Sequence, residues 1–161
     1  MPPTIKVTKT SRLPQLKADL KRLVNTDVLV GWPESAAGRN EEGVTNPQLA
    51  YIHTNGSPLQ NIPARPILQP AISEPENNRL IGEQLGKAAQ DVLQGKPEAA
   101  ENDLHRTGML ATNIVKRWFV NPANSWAPNA PSTIARKGSA RPLIDTGQLR
   151  RSATYVVRDK K

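Results

Sequence analysis

Residues 76–118 read ENNRLIGEQLGKAAQDVLQGKPEAAENDLHRTGMLATNIVKRW, and this stretch decides the fold. Ile81, Leu85, Ala88 and Val92 recur at helical spacing, as do Leu104, Ala111, Ile114, Val115 and Trp118. Between the two sets stands Gln94-Gly95-Lys96-Pro97, a glycine to end one helix and a proline to open the next. The pattern predicts an αα-hairpin. Gly108, inside the second helix, costs about 1 kcal/mol relative to alanine and predicts a bend or a close contact there.

Upstream, Leu13, Leu16, Leu20 and Leu23 predict an amphipathic helix over Ser11 to Val24, with Pro14 in its first turn. Asp27-Val28-Leu29-Val30-Gly31-Trp32 reads as a buried strand, followed by a polar, mobile loop near 33–45. Asn46-Pro47 opens a short helix bearing Leu49, Ala50 and Ile52, with Asn46 as its cap, and Asn55-Gly56 closes it. Prolines 58, 63, 66 and 70 then exclude a regular helix, so Pro58 to Pro70 is expected to be extended or tightly turned. Downstream of the hairpin, 121–142 is rich in Pro, Asn, Ser and Ala without hydrophobic period, and predicts an extended arm or loop that is disordered or docked on something. Asp145 or Thr146 is expected to cap a short helix over Gly147 to Arg151. Ala153 to Val157 returns as a strand paired with the first. The whole predicts one α+β domain over 1–161. A small antiparallel or mixed sheet packs with an N-terminal helix and an αα-hairpin, and long Pro-rich arms extend from it.

At 161 residues the chain has room for one core of ordinary size. Only 4% of residues are aromatic while 15 are proline, so a lean core supports much irregular chain, and such chains often finish their burial against neighbours. The absence of cysteine removes disulfides, thiolate nucleophiles and cysteine zinc sites, and His53 and His105 lie far apart, so no metal or other cofactor is indicated. No stretch approaches the roughly 18 apolar residues of a membrane span. No leader pattern opens the chain, so a soluble, cytosolic protein without membrane contact is expected.

The formal charge of +8 is unevenly placed. Residues 1–115 carry 12 basic and 12 acidic side chains, whereas 116–161 carry 10 basic against Asp145 and Asp159 alone. A basic C-terminal third attracts nucleic acid, anionic lipid or an acidic protein surface without choosing among them, and it is equally consistent with a solvated surface.

Candidate catalytic patterns are weak. Asp145-Thr146-Gly147 is the tripeptide of aspartic proteases, in which two aspartates share a proton, but Gln148, Leu149 and two arginines follow it and no later glycine completes the pattern. A helix cap is the simpler role. His53 on a short helix has no sequence-evident partner, and Glu41-Glu42 and Glu74/Glu76 read as solvated or dipole-facing charge. No glycine-rich phosphate loop occurs. Trp118, Phe119 and Trp126 beside Lys116, Arg117 and Arg136 offer a base-stacking patch, but packing of Trp118 and Phe119 into the core, with Trp126 pinning the long loop, is the better account. No enzyme is expected.

Three stretches, in order, resemble the neck and tail-completion proteins of long-tailed bacteriophages, the group also labelled tail-component or virion-morphogenesis proteins. Ala50-Tyr51-Ile52-His53-Thr54-Asn55-Gly56 followed by Ile62-Pro63-Ala64-Arg65-Pro66-Ile67-Leu68 is similar to the family's apolar helix, glycine and proline-bearing segment, with Ile67 where an aromatic is usual. Trp126-Ala127-Pro128, Ser132-Thr133 and Lys137, then Pro142 to Ser152, look like its closing region.

The resemblance spans about 27–158 and implies a virion structural protein of the neck or tail end, made in the host cytoplasm. It would form a homo-oligomeric ring, six subunits expected and twelve the alternative. The ring would join the tail tube or tail terminator protein to a head-side connector or stopper protein, with DNA passing through without sequence-specific binding. Tail terminator or another connector ring is the alternative position. Within that frame Ile62, Pro63, Ala64, Arg65 and Pro66 would form a stiff segment lying across a neighbour, with Arg65 forked toward a carboxylate there, and Trp126, Arg136 and Lys137 would belong to an arm that orders on docking. Asp145, Thr146 and Gly147 remain a structural cap. A basic DNA-binding or packaging accessory protein is the alternative function, and an acidic protein partner is favoured over DNA because strong phosphate contact would retard a passing genome.

Overall fold

A proline opens each helix of the hairpin, and a glycine follows the first, in the computed structural model, which describes residues 11–36 and 43–160. The first runs Pro75–Leu93, where the Glu74 carboxylate accepts from the Asn77 amide at 2.9 Å. Gly95 then takes φ +75°, and the amides of Gly95 and Lys96 donate to the Val92 and Asp91 carbonyls, which satisfies the last turn. Pro97 opens the second helix, Pro97–Trp118.

In chain order the elements are α1 (Leu13–Val24), β1 (Thr26–Gly31), α2 (Asn46–Asn55), α3 (Leu68–Ser73), α4 (Pro75–Leu93), α5 (Pro97–Trp118), α6 (Pro131–Lys137), α7 (Gln148–Ser152) and β2 (Thr154–Asp159). The fold is α+β. β1 and β2 form a two-stranded antiparallel sheet with Val28 opposite Val157 and Val30 opposite Tyr155.

Helix α5 is the spine of two apolar clusters. Near its start Ala100 and Leu104 meet Ala88 and Val92 of α4, with Leu16, Leu20 and Leu23 of α1 and Val28 and Val157 of the sheet packed against them. Near its end Ile114, Val115 and Trp118, with Phe119 beyond, meet Ala50, Ile67, Ala71, Leu149 and Ala153. Between them lies Gly108. A Cβ there would stand 2.1 Å from Tyr155 Cδ2, so the close approach is to a strand's aromatic ring rather than to another helix.

Several expectations need correction. Thr45, not Asn46, caps α2: its side chain accepts from the Gln48 amide and the Gln48 side chain accepts from the Thr45 amide, a reciprocal capping box, while Asn46 is buried inside the first turn. Pro70 does not exclude helix; it sits in the first turn of α3, where no intrahelical donor is lost. Asp145 and Thr146 are not the cap residues of α7. Gly147 holds that position at φ +75°, and Thr146 Oγ1 accepts from the Gln148 amide at 3.3 Å. The expected mobile loop near 33–45 falls in part on residues 37–42, Glu41-Glu42 among them, which lie outside the described residues, and Glu34–Ala36 forms one 3₁₀ turn. The arm expected over 121–142 is instead folded onto the body, with a 3₁₀ turn at Pro122–Asn124 and helix α6 inside it.

Candidate functional site

The turn after α2 is built by its glycine. Gly56 takes φ +73°, and a Cβ on it would stand 2.7 Å from the Ala64 nitrogen and 2.8 Å from the Ile62 oxygen. The chain therefore doubles back: Ser57 and Ile62 exchange backbone hydrogen bonds, and the Arg65 amide donates to the His53 carbonyl at 2.6 Å. Side chains alternate from there, with Arg65 and Ile67 buried and Ala64 and Pro66 exposed.

Arg65 is 6% exposed and turned inward. Its Nε donates to the Ala127 carbonyl at 3.0 Å and its NH2 group to the Pro128 carbonyl at 3.1 Å, with the Asn129 Oδ1 at 3.5 Å. The fork expected to reach a neighbour's carboxylate is thus spent within the chain, because the carbonyls of a proline-rich segment lack amide partners and a guanidinium supplies several donors from one side chain. Trp126 Nε1 donates to the Pro66 carbonyl at 3.0 Å, and its ring stands edge-on to Phe119 at 5.7 Å. Asn129, also buried, continues the chain of contacts by donating to the Ala140 and Arg141 carbonyls. Lys137 Nζ donates to the Arg141 carbonyl at 2.7 Å.

These contacts frame an open cleft of about 1290 Å³. It brings together residues that the sequence singled out from three separate places: Ile62 to Arg65 on one wall, Arg136 and Lys137 on a second, and Asp145, Thr146 and Gly147 on a third, with His53 among them. Pro66 and Trp126 do not line it; they hold each other behind it. Asp145 is the one carboxylate on the described lining, set against Arg65, Arg136 and Lys137.

This electrostatic setting moves three groups. Burial first, then the charges of Arg65 and Lys137, hold the His53 imidazole below its usual pKa, so it is neutral near pH 7. Burial also lowers Lys137, with Asp145 pulling it back up and Arg65 adding to the fall. Burial lowers Arg65 as well, and a guanidinium keeps its charge in a folded protein.

Among the described residues His53 Nδ1 has no hydrogen-bond partner, so no described carboxylate orients it as a base. An aspartic-protease pair needs a second carboxylate beside Asp145, and the described lining supplies none. No cluster of three metal-ligating side chains exists among the described residues, and none of their helices is long and apolar enough to cross a membrane.

Two residues of this region escaped sequence reading. Asn129 lies in the run Pro128-Asn129-Ala130-Pro131, which looked like mere punctuation. Leu59 is 98% exposed at the tip of the 57–62 turn, and only the turn residues around it, Pro58, Asn61 and Pro63, signalled that it would be displayed. No family model, curated protein or solved structure matches this chain.

Proposed function

We propose that this chain is a virion structural protein of the neck of a long-tailed bacteriophage, resembling a tail-completion protein. It would form a ring at the head-proximal end of the tail and join the tail to the head-side connector. A hexamer is the proposed assembly. One observation carries the reading: parts of the stretches that hold the resemblance, 62–68 and 126–152, are far apart in the chain yet fold onto one another through Arg65, Trp126 and Asn129 to frame a single cleft. The mechanism is assembly rather than chemistry. Proline-fixed turns lose little chain entropy when a neighbour docks, and the exposed Pro63, Ala64 and Pro66 face outward for it.

The alternative, a basic DNA-binding or packaging accessory, draws on the charge of residues 116–161. Part of that charge is held by the chain itself: Arg150 Nε donates to the Lys116 carbonyl, Arg151 to the Thr146 carbonyl, and Lys160 pairs with Asp27. The assembly reading is therefore preferred. It is tested by light scattering on the full chain, alone and with tail-tube protein, alongside duplex binding at two salt concentrations. A symmetric oligomer seated on tube ends, with negligible duplex affinity near physiological salt, supports it. A monomer or dimer that binds duplex at that salt overturns it.

A further inference from the structure

The cleft is larger than a small ligand needs. Its volume of about 1290 Å³ lies above the roughly 300–1,000 Å³ of small-molecule sites, so it has room for a length of chain. Its walls are built before anything enters. Ser57 and Ile62 exchange backbone hydrogen bonds at 2.8 and 2.9 Å on one side, and Arg65 ties that side to the Ala127 and Pro128 carbonyls ahead of α6 on the other. A groove between fixed walls takes an extended segment at low entropic cost to itself.

The charges around the cleft are one-sided. On the described lining Arg65, Arg136 and Lys137 stand against Asp145 alone, with His53 neutral near pH 7. Arg65 and Lys137 already donate to the Pro128 and Arg141 carbonyls. Arg136 is exposed in the last turn of α6 and belongs to none of the described ion pairs. Asp145 is exposed as well and belongs to none of them, and its charge acts across the opening on Lys137. No Trp, Tyr or Phe lies on the described lining, so the bases of a single strand would have no ring of that kind to stack on. Ile62, Leu143 and Leu149 offer aliphatic surface there instead.

We infer that this cleft holds an extended acidic segment of a partner protein, with its carboxylates at Arg136 and Lys137. Charge complementarity selects that occupant: an entering carboxylate meets a net positive opening, and Asp145 is the one described charge that opposes it. Asp145 therefore competes with the segment for the same cations. Peptide side chains can use the aliphatic surface beside those cations, which a sugar-phosphate backbone cannot. The inference rests on the assembly reading above and gives its cleft an occupant.

The test uses the full chain and fluorescence anisotropy at low salt, with a labelled peptide of about ten residues alternating glutamate and proline, which is extended on its own. A twin with glutamine in place of glutamate and an oligothymidylate of equal charge are the comparisons. The acidic peptide should bind, its glutamine twin should not, and the oligothymidylate should bind more weakly than the peptide. Arg136→Glu should weaken the peptide by about tenfold or more, and Asp145→Asn should tighten it by about threefold. Lys17→Glu makes the same change in net charge on α1, outside the cleft, and should leave the affinity within about twofold. All three positions are exposed, and each variant is checked for an unchanged circular dichroism spectrum. An acidic peptide that does not bind, a loss in Lys17→Glu as large as in Arg136→Glu, no gain in Asp145→Asn, or an oligothymidylate as tight as the peptide would each overturn the inference. Failure of the wider reading looks different: there, the peptide binds with this pattern but the chain never seats on tail-tube ends. Conversely, rings on those ends from a chain that ignores the peptide would refute the occupant and leave the neck assignment standing.

Discussion

Gly108 lies where helix α5 passes under the ring of Tyr155, and the ring occupies the space that a side chain would need. Alanine in a helix interior gains about 1 kcal/mol over glycine, but forcing a methyl against a packed aromatic costs about 1–3 kcal/mol. Tyr155 is further held edge-on to His105 at 5.9 Å, so it cannot swing away freely. Gly108→Ala should therefore lose up to about 2 kcal/mol in denaturant unfolding, the opposite of its helix propensity. Combined with Tyr155→Ala it should cost less than the two singles summed. An alanine variant more stable than wild type would show that the ring does not hold that place. His53 tests burial and charge together. Its folded pKa lies below the 6.5 of the unfolded chain, so between those values the unfolded state binds more protons. Stability should thus be unaffected by this residue above pH 6.5 and decline as pH falls from there toward the depressed folded value. His53→Gln should flatten the fall in melting temperature between about pH 7.5 and about pH 5.5. A variant whose curve parallels the wild type would place the imidazole in water.

Between α2 and α3 the chain has almost no regular structure, and its position depends on Arg65 and Trp126, which tie it to the segment 126–129 that precedes α6. Hydrogen bonds from charged donors contribute about 1.5–3 kcal/mol each, and water can re-solvate the exposed Ala127 and Pro128 carbonyls once the guanidinium is gone. Arg65→Met, which keeps the stem, should cost about 2–3 kcal/mol in all. Hydrogen exchange should show amides in 129–138 losing protection while those of α4 keep theirs; uniform loss across both would mean global destabilisation without the specific tie. The same region shows why the sequence was readable in part. Helices α1, α4 and α5 and the two strands β1 and β2 follow from short-range periodicity and turn chemistry, which the chain carries locally. The fold of 121–142 does not, because its anchors are a tryptophan indole, an asparagine amide and an arginine far upstream in the chain, each reaching a bare carbonyl. No period marks such contacts. The cleft was legible as a set of residues, Ile62 to Arg65, Arg136, Lys137 and Asp145 to Gly147, but not as a place, since the inward turn of Arg65 depends on which face of an extended segment meets the body.

At the scale of the whole molecule the excess charge decides between partners. Its +8 arises after residue 115, and the folded chain gathers part of it at the C-terminal end of α5, where Lys116 and Arg117 lie in the last turn and Arg150 donates to the Lys116 carbonyl. Cations there complement the negative end of the helix dipole, a stabilising use that requires no external anion. Arg136 and Lys137 instead line the cleft with Asp145 as the described counter-charge, which leaves that opening net positive. A duplex held only by such phosphate contacts releases counterions, so the logarithm of its affinity falls with the logarithm of salt at about −0.9 per phosphate neutralised. An acidic protein surface that also buries apolar contacts loses only its steering component, and its dissociation rate changes little. Reversing the cleft charge with the double variant Arg136→Glu, Lys137→Glu should therefore slow association with the head-side partner of the proposed assembly several-fold at low salt and much less near physiological salt. Measured by surface plasmon resonance, a change confined to the dissociation rate, or identical effects at both salt concentrations, would mean that the cleft does not face the partner's acidic surface.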